Sequence, residues 1–207
     1  KVFVKVFNPS LSGNGWQSTH TIVEILAPDA PFLVDSVRIA LNRLDITTHL
    51  MLNSPIKACK NDQGDVVSIG NEDGQFQSTF HIEIDKMSDE SEMAALEAEL
   101  SETLTDVVMV VNDWKPMRAQ MVELVASLKN TQRPIDDERR QEAVEFLSWI
   151  TDNNFTFMGY KCFDLVPVEG DYELRASSDC DALGLAKKHK SPQALRLSEM
   201  PESARAE

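Results

Sequence analysis

The chain has 207 residues, 42% of them apolar, which suits one or two folded domains with a buried core. It carries 20 Lys and Arg against 34 Asp and Glu, a formal net charge of −14. A surface this acidic repels phosphate backbones and anionic headgroups, so we expect neither nucleic-acid nor membrane binding. No apolar run reaches the roughly 18–20 residues of a membrane span, and KVFVKVFNP does not resemble a signal peptide, so we expect a cytoplasmic protein.

The N-terminal segment predicts an antiparallel hairpin. In KVFVKVF, Val2, Val4 and Val6 alternate with the other residues, which is the two-residue period of a strand. Pro9 ends this strand, and the turn-rich SLSGNGW leads to a second strand over residues 19–26. Because the link is short, the two strands are expected to pair with each other.

A helix is predicted after the second strand. Asp29 is expected to be its N-cap, and Pro31 suits the first turn, where its missing N–H costs nothing. Apolar residues at three- and four-residue spacing predict the buried face of this helix: Leu33, Val34, Val37, Ala40, Leu41 and Leu44.

Extended structure is predicted to return between this helix and the next. Residues 46–59 predict a strand that is broken at 53–55 by Asn-Ser-Pro. The polar, glycine-rich residues 60–75 predict a loop or a β-excursion. Alternation in FQSTFHIEI predicts a strand over 76–84.

From Ser88 onward the apolar spacing changes to three or four residues, which predicts a long amphipathic helix up to Trp114. Pro116 is expected to kink or restart the helix near Asp113, since proline cannot donate a helical hydrogen bond. The apolar stripe then continues to Leu128.

A polar stretch precedes a third predicted helix, whose core face would carry Val144, Leu147 and Ile150. FTFMGYKCFDLV and YELRA then predict two strands joined by a turn at 169–171. Four aromatic residues of the first of these strands either line a ligand pocket or, as we favour, pack in a core: Phe155, Phe157, Tyr160 and Phe163.

The sequence carries no recognisable catalytic motif. It has no GxGxxG fingerprint, Walker loop, nucleophile elbow or HExxH pair, so we predict no catalytic residue. His20, His49 and His81 fall on three predicted strands, where a metal site across the sheet is one interpretation and isolated surface histidines are the commoner one. We predict no metal site.

The three cysteines, Cys59, Cys162 and Cys180, are odd in number and widely spaced. Such spacing predicts neither a disulfide framework nor a zinc clip. We therefore expect a reduced chain, in keeping with a cytoplasmic location.

One segment resembles the signature of ACT regulatory domains. That pattern runs Asp-x-Pro-Gly-Leu-Leu, then an apolar helix, then a strand opened by Gly-Ile, and here Phe32 and Asp45 stand where the pattern has glycine. In ACT domains this loop lies near an interface that binds small effectors, often amino acids, and the helix N-terminus can hold a carboxylate there. The resemblance implies an effector site formed by Asp29, Ala30, Pro31, Phe32, Leu33 and Val34.

Three longer blocks, in the same order, resemble the N-terminal region of the large NAD-specific glutamate dehydrogenases of bacteria. They are FNPSLSGNGWQSTHTIVEILAPDAPFLVDSV at 7–37, NDWKPM at 112–117 and FLSWITDNNFTFMGYKCFDL at 146–165. In that family a very long subunit carries ACT-like and PAS-like modules before its catalytic domain. Full-length members oxidise glutamate to 2-oxoglutarate and ammonia with NAD.

The resemblance implies an α+β fold, with an ACT-like domain over 1–130 and the start of a PAS-like α/β domain over 131–207. The first domain would be a ferredoxin-like antiparallel sheet with helices on one face. No final strand follows the long helix, so the N-terminal strand would take that edge in a permuted order.

The same resemblance implies a non-catalytic regulatory or scaffolding segment without a cofactor, NAD belonging to the parent enzyme. Its expected partners are an amino-acid effector, the remaining domains of the parent enzyme and further copies in a homo-oligomer. One alternative is a free-standing ACT-like module for amino-acid sensing or oligomerisation. Another is a small autonomous enzyme that uses the aromatic hairpin as a pocket.

Overall fold

The computed structural model describes residues 1–61, 63, 66–131, 136–188 and 195–201. The chain divides into two compact units, Lys1–Val111 (unit 1) and Asn112–Glu207 (unit 2). The division lies inside a helix and earlier in the chain than the predicted boundary at 130. No helix within the described residues is long and apolar enough to cross a bilayer.

Unit 1 is built on a five-stranded antiparallel sheet with the strand order β1-β2-β5-β3-β4. Its elements in chain order are β1 (Phe3–Phe7), α1 (Leu11–Asn14), β2 (Thr21–Pro28), α2 (Leu33–Arg43), β3 (Thr48–Lys60), β4 (Val66–Ile69), β5 (Gln75–Ile84) and the first part of α3 (Glu90–Asn130).

The N-terminal strand pairs with β2, as the sequence predicts. Phe3 lies opposite Leu26 and Phe7 lies opposite Ile22, so the two strands are antiparallel over the whole of β1. β1 is thus the edge strand beside β2. On its outer side the backbone N–H of Val6 donates a 3.0 Å hydrogen bond to Oε2 of Glu97, a residue of α3.

The helices of unit 1 cover one face of the sheet, as predicted. Side chains of β2 and β5 alternate between the two faces, so every second residue meets α2 or α3. The buried cluster between helices and sheet includes Val23, Ile25, Leu33, Val37, Leu41, Phe80, Ile82, Ile84, Leu96, Leu100 and Leu104.

β3 is continuous through Pro55, so the predicted break at 53–55 is wrong. β4 pairs only with the last three residues of β3, and Pro55 pairs with Ser78 of β5 on the other side. The outer side of β3 at Pro55 therefore has no paired strand in the described residues, and a proline on a sheet edge costs no ladder hydrogen bond.

α3 also runs without a restart through Pro116. A proline removes the hydrogen bond from its own nitrogen and crowds the preceding turn, but a long helix keeps its other bonds. Met117, the next residue, is only 1% exposed and lies in the same helix.

Unit 2 consists of the second part of α3, one further helix and short strands. Two small sheets have the orders β10-β8-β7 and β6-β9. The elements are α4 (Asp137–Trp149), a π-helical turn (Ile150–Asn154), β6 (Gly159–Tyr160), β7 (Phe163–Val168), β8 (Asp171–Ala176), β9 (Leu183–Gly184), a 3-10 turn (Leu185–Lys187), β10 (Leu195–Arg196) and a second 3-10 turn (Leu197–Glu199).

The hairpin predicted after the third helix is present as β7 and β8, with Val168 opposite Asp171. The core interpretation of its aromatic residues is wrong, because Phe155 is 58% exposed and Phe163 is 41% exposed. Phe157 and Tyr160 are half-buried rather than buried. The extended segment that carries these four residues is short and irregular. The alternation of side chains along a strand therefore does not place all four rings on one buried face.

A disulfide joins Cys162 to Cys180, and the expectation of a fully reduced chain is wrong. The two residues are 18 positions apart in sequence, too far for spacing alone to suggest a pair, but the β7–β8 hairpin brings the chain back on itself. Cys59, in β3 of unit 1, is a free thiol.

Candidate effector turn and open sheet face

The turn before α2 is held to the sheet through Asp29. Its backbone N–H donates to the carbonyl of Phe76 at 3.2 Å, and its carboxylate Oδ1 accepts a 2.6 Å hydrogen bond from the Ser78 hydroxyl. Asp29 is therefore not the predicted N-cap. A turn at 31–32 intervenes, and α2 begins only at Leu33.

Phe32 occupies the N-cap position of α2, with a left-handed backbone at φ 71° and no side-chain hydrogen bond. Phe32 is 61% exposed, so its side chain does not pack in the core. Asp45, just after α2, is also left-handed, at φ 56°. Both residues stand where the ACT pattern has glycine, the residue for which this conformation carries no penalty.

The start of α2 leaves backbone N–H groups available to a ligand. The first-turn amides of an α-helix have no acceptor within the helix, and the positive end of its dipole favours an anion. Ala30 and Val34 are half-buried against the core, and Leu33 is buried, so their side chains position the turn. Asp35 adds one negative charge in the first turn.

The second notable surface of unit 1 is the sheet face away from α2 and α3, here called the open face. Lys5 of β1 lies opposite Glu24 of β2, which lies opposite His81 of β5, so these three side chains form one row across the sheet. Beside this row is a groove of about 720 Å³, lined mainly by apolar residues that include Phe3, Leu26, Ile56, Val66 and Ile69.

Histidines and carboxylates meet at one end of the open face. His20 Nδ1 lies 3.2 Å from Glu83 Oε2, and His49 Nε2 lies 2.7 Å from Asp85 Oδ1. The ring centroids of His20 and His49 are 4.4 Å apart. His81 Nε2 lies 4.0 Å from Glu83 Oε1, and the His81 ring also lies beside Trp16.

Hydrogen bonds from Thr47 and His49 lower the pKa of Asp85 below its ordinary value. Among the described residues, no group of three His, Cys, Asp or Glu is arranged to hold a metal ion.

Asp113 of unit 2 makes charged contacts that the sequence did not predict. Asp113 Oδ2 accepts a 2.7 Å hydrogen bond from the Gly184 N–H and lies 2.5 Å from Lys187 Nζ. The Lys187 hydrogen bond, followed by the Gly184 N–H, lowers the pKa of Asp113. The side chain of Asp113 is only 14% exposed. The sequence signal that could have pointed to Asp113 is its position in NDWKPM, one of the three blocks that resemble the glutamate dehydrogenases.

Comparison with known families matches residues 1–100 to the model described as "Glutamate dehydrogenase, ACT1 domain". Residues 1–100, here called the ACT1 residues, are therefore similar to the ACT1 domain of glutamate dehydrogenases. The ACT1 residues include all five strands of the sheet, α2, the turn 29–34 and both left-handed positions that replace the pattern's glycines.

Curated relatives match most of the chain, beyond the ACT1 residues. An NAD-specific glutamate dehydrogenase of Pseudomonas aeruginosa is 35% identical over 189 residues, 89% of this chain. One of Halomonas elongata is 37% identical over 83% of the chain, and one of Mycobacterium tuberculosis is 26% identical over 67%. The chain spans only 12%, 11% and 9% of the length of these three proteins, respectively.

Proposed function

We propose that the chain is a non-catalytic regulatory and scaffolding segment from the N-terminal region of a large NAD-dependent glutamate dehydrogenase. The parent enzyme would convert L-glutamate to 2-oxoglutarate and ammonia in a catalytic domain outside this segment. The observation that carries the proposal is the ACT1 match over 1–100, on a sheet-and-helix unit whose Phe32 and Asp45 stand at the pattern's glycine positions and have left-handed backbones.

The sequence itself argues against catalysis by this segment. Hydride transfer with NAD needs a site that cradles the pyrophosphate, commonly a glycine-rich loop at a helix N-terminus. The sequence contains no such fingerprint, and its net charge of −14 disfavours a pyrophosphate. NAD would therefore bind the parent enzyme elsewhere.

We also propose the domain organisation that this function needs. Residues 1–130 would form the ACT-like domain, with β1 supplying the edge strand in a permuted ferredoxin-like order. Residues 131–207 would begin a PAS-like domain. Its partners would be the remaining domains of the parent enzyme and further copies in a cytoplasmic homo-oligomer, with neither nucleic acid nor membrane involved.

The proposed effector position is the turn formed by Asp29, Ala30, Pro31, Phe32, Leu33 and Val34. The first-turn amides of α2 would bind the carboxylate of an amino acid. Two observations support this position: Phe32 makes no side-chain hydrogen bond to cap the helix, and its ring is exposed. The amides at the helix start thus have no competing cap from the residue before them.

The test uses two matched substitutions at Phe32 in the parent enzyme. Asn and Asp both tolerate a left-handed backbone and both can cap a helix, but only Asp adds a negative charge. We would titrate each of the twenty amino acids while measuring glutamate-dependent NADH formation. Phe32→Asp is expected to raise the half-saturating effector concentration at least tenfold over Phe32→Asn, with unchanged effector-free kcat.

Two outcomes separate the parts of this proposal. If both variants respond to the effector alike, the turn 29–34 is not the effector site, although the segment can still be regulatory. If the parent enzyme keeps its full response to every amino acid when residues 1–111 are deleted, the regulatory role itself is wrong.

A further inference from the structure

We infer that Cys162 and Cys180 are a reversible modification site, a thiol pair that exchanges with small thiols and disulfides and thereby controls the order of the segment that binds Asp113. The pair is joined by a disulfide, with the two Cα atoms 6.1 Å apart. Both residues are half-buried rather than enclosed, so a dissolved thiol has access to the sulfurs.

The disulfide ties one loop to the base of the β7–β8 hairpin. Cys162 directly precedes β7, and Cys180 lies in the loop from 177 to 182 that connects β8 to β9. The first residue of this loop is also held by the backbone, since the Ser177 N–H donates to the Cys162 carbonyl at 3.0 Å. Beyond it, the Ser178 hydroxyl donates to Asp179 Oδ1 at 3.2 Å and the Asp179 N–H donates to Ser177 Oγ at 3.3 Å, so both bonds stay within the loop.

The segment that follows this loop, β9 and the 3-10 turn after it, carries the contacts to Asp113. Gly184 and Lys187 both bind the Asp113 carboxylate. The fit at Gly184 is close, because a Cβ there would lie 2.4 Å from the Met158 carbonyl oxygen. The loop must therefore be held in place for β9 to meet β6 and for Gly184 to reach Asp113. The disulfide supplies that restraint at Cys180.

A polar group beside Cys162 favours the exchange reaction. The Tyr160 hydroxyl lies 3.2 Å from Cys162 Sγ and 3.3 Å from Gln120 Oε1. The Tyr160 hydroxyl donates to Gln120 Oε1, and when the pair is reduced it can turn its single proton to a thiolate at Cys162 instead and stabilise that thiolate. The thiolate is the form that attacks a disulfide.

The exchange balances with glutathione disulfide as the oxidant. One cysteine thiolate attacks a glutathione sulfur, the glutathione S–S bond breaks, and one glutathione thiolate leaves. The second cysteine thiolate then attacks the sulfur of the first cysteine in this mixed disulfide, the bond between that sulfur and glutathione breaks, and the Cys162–Cys180 bond forms as the second glutathione thiolate leaves. The two protons lost by the protein thiols protonate the two leaving thiolates, so one glutathione disulfide becomes two glutathiones.

The test equilibrates the full 207-residue chain in glutathione buffers of graded redox ratio, alkylates the free thiols and counts them by intact mass. We expect two thiols to disappear together in one two-electron transition, while one thiol, Cys59, remains alkylated throughout. Cys59→Ser is the matched control and should keep the transition with no alkylated thiol left when oxidised. Cys162→Ser and Cys180→Ser should each abolish it.

Hydrogen exchange of the same samples reads out the structural effect. Reduction is expected to speed amide exchange at 178–187 at least tenfold while leaving β2 and β5 unchanged. Three results would each overturn the inference: all three cysteines alkylated at every ratio, a disulfide that persists at every ratio, or unchanged exchange at 178–187 after reduction.

Discussion

The hydroxyl of Ser78 donates a 2.6 Å hydrogen bond to the carboxylate of Asp29, 49 residues earlier in the chain. This bond joins the turn that opens α2 to β5, which lies between β2 and β3 in the sheet. The position of the proposed effector turn is thus set by a strand distant in sequence.

Removing the carboxylate is expected to destabilise unit 1. Asp29→Ala leaves the hydroxyl of Ser78, a residue only 5% exposed, without its acceptor, at a cost of about 1–3 kcal/mol. Ser78→Ala should cost less, because Asp29 is exposed and can bind water. Urea unfolding of both single variants and the double variant gives the coupling energy. Strictly additive effects would show that the bond contributes nothing.

Glycine substitutions at the two left-handed residues are expected not to lower the free energy of unfolding, unlike glycine substitutions inside a helix. A left-handed backbone costs an L-residue about 1–2 kcal/mol, and glycine's extra unfolded-state entropy offsets about 0.5–1 kcal/mol of the gain. Phe32→Gly and Asp45→Gly are therefore expected to be neutral or to stabilise by up to about 1 kcal/mol. Urea unfolding measures the change.

Ile39 provides the matched control for these glycine substitutions. It is 64% exposed, like Phe32, but lies inside α2. Ile39→Gly should destabilise by about 0.5–1 kcal/mol, because glycine is a poor helix former. If Phe32→Gly lowers the stability as much as Ile39→Gly does, the backbone of Phe32 is not under strain.

The ionisation of Asp113 is expected to make the stability of unit 2 depend on pH. Its pKa is lowered in the folded chain by the Lys187 and Gly184 hydrogen bonds, relative to an ordinary value of 3.8. Its contribution to stability is therefore complete above the unfolded-state pKa and is lost as the pH falls through the folded-state pKa. Asp113→Asn should lower the free energy of unfolding at pH 7 by about 1–2 kcal/mol and have less effect at pH 3.

Glu123→Gln is the control for charge at this site, since Glu123 is exposed on the same helix. It removes one negative charge without touching Asp113, so its effect should be small at both pH values. Chemical unfolding followed at pH 7 and pH 3 compares the two variants. An Asp113→Asn penalty as large at pH 3 as at pH 7 would contradict the assignment.

The chain by itself is expected neither to bind NAD nor to oxidise glutamate. Calorimetric titration of NAD into the chain should give no saturable heat, and the chain should form no NADH from glutamate. The parent enzyme is the positive control for both assays. Saturable NAD binding by the chain would place part of the cofactor site in this segment.

Much of unit 1 could be predicted because its signals are local or periodic. Alternation located β1 and β2, and their short link set the antiparallel pairing. The ACT pattern marked positions 32 and 45, where the left-handed backbone occurs although neither residue is glycine. The strand break predicted at 53–55 is wrong because proline is unfavourable only where a strand is paired on both sides. The sequence does not show that β3 has an unpaired side at Pro55.

The features that were missed depend on contacts between distant residues. The residues next to Asp29 and Cys162 in the sequence do not indicate the partners of these two side chains. Asp29 was expected to cap α2 but binds Ser78. Cys162 was expected to be a free thiol but forms a disulfide. The exposure of Phe155 and Phe163 was missed for another reason. Apolar residues are buried on average. Their apolar character does not show whether the strand that carries them is long enough to have one buried and one exposed face.

The carboxylate of Glu97 on the outer side of β1 affects how the sheet can grow. An edge strand with free N–H groups is a template for strand addition and aggregation. Here the Val6 N–H already has an acceptor, and an incoming strand would have to displace Glu97 and approach a negative charge. Extension of the sheet by a further strand at β1 is therefore disfavoured.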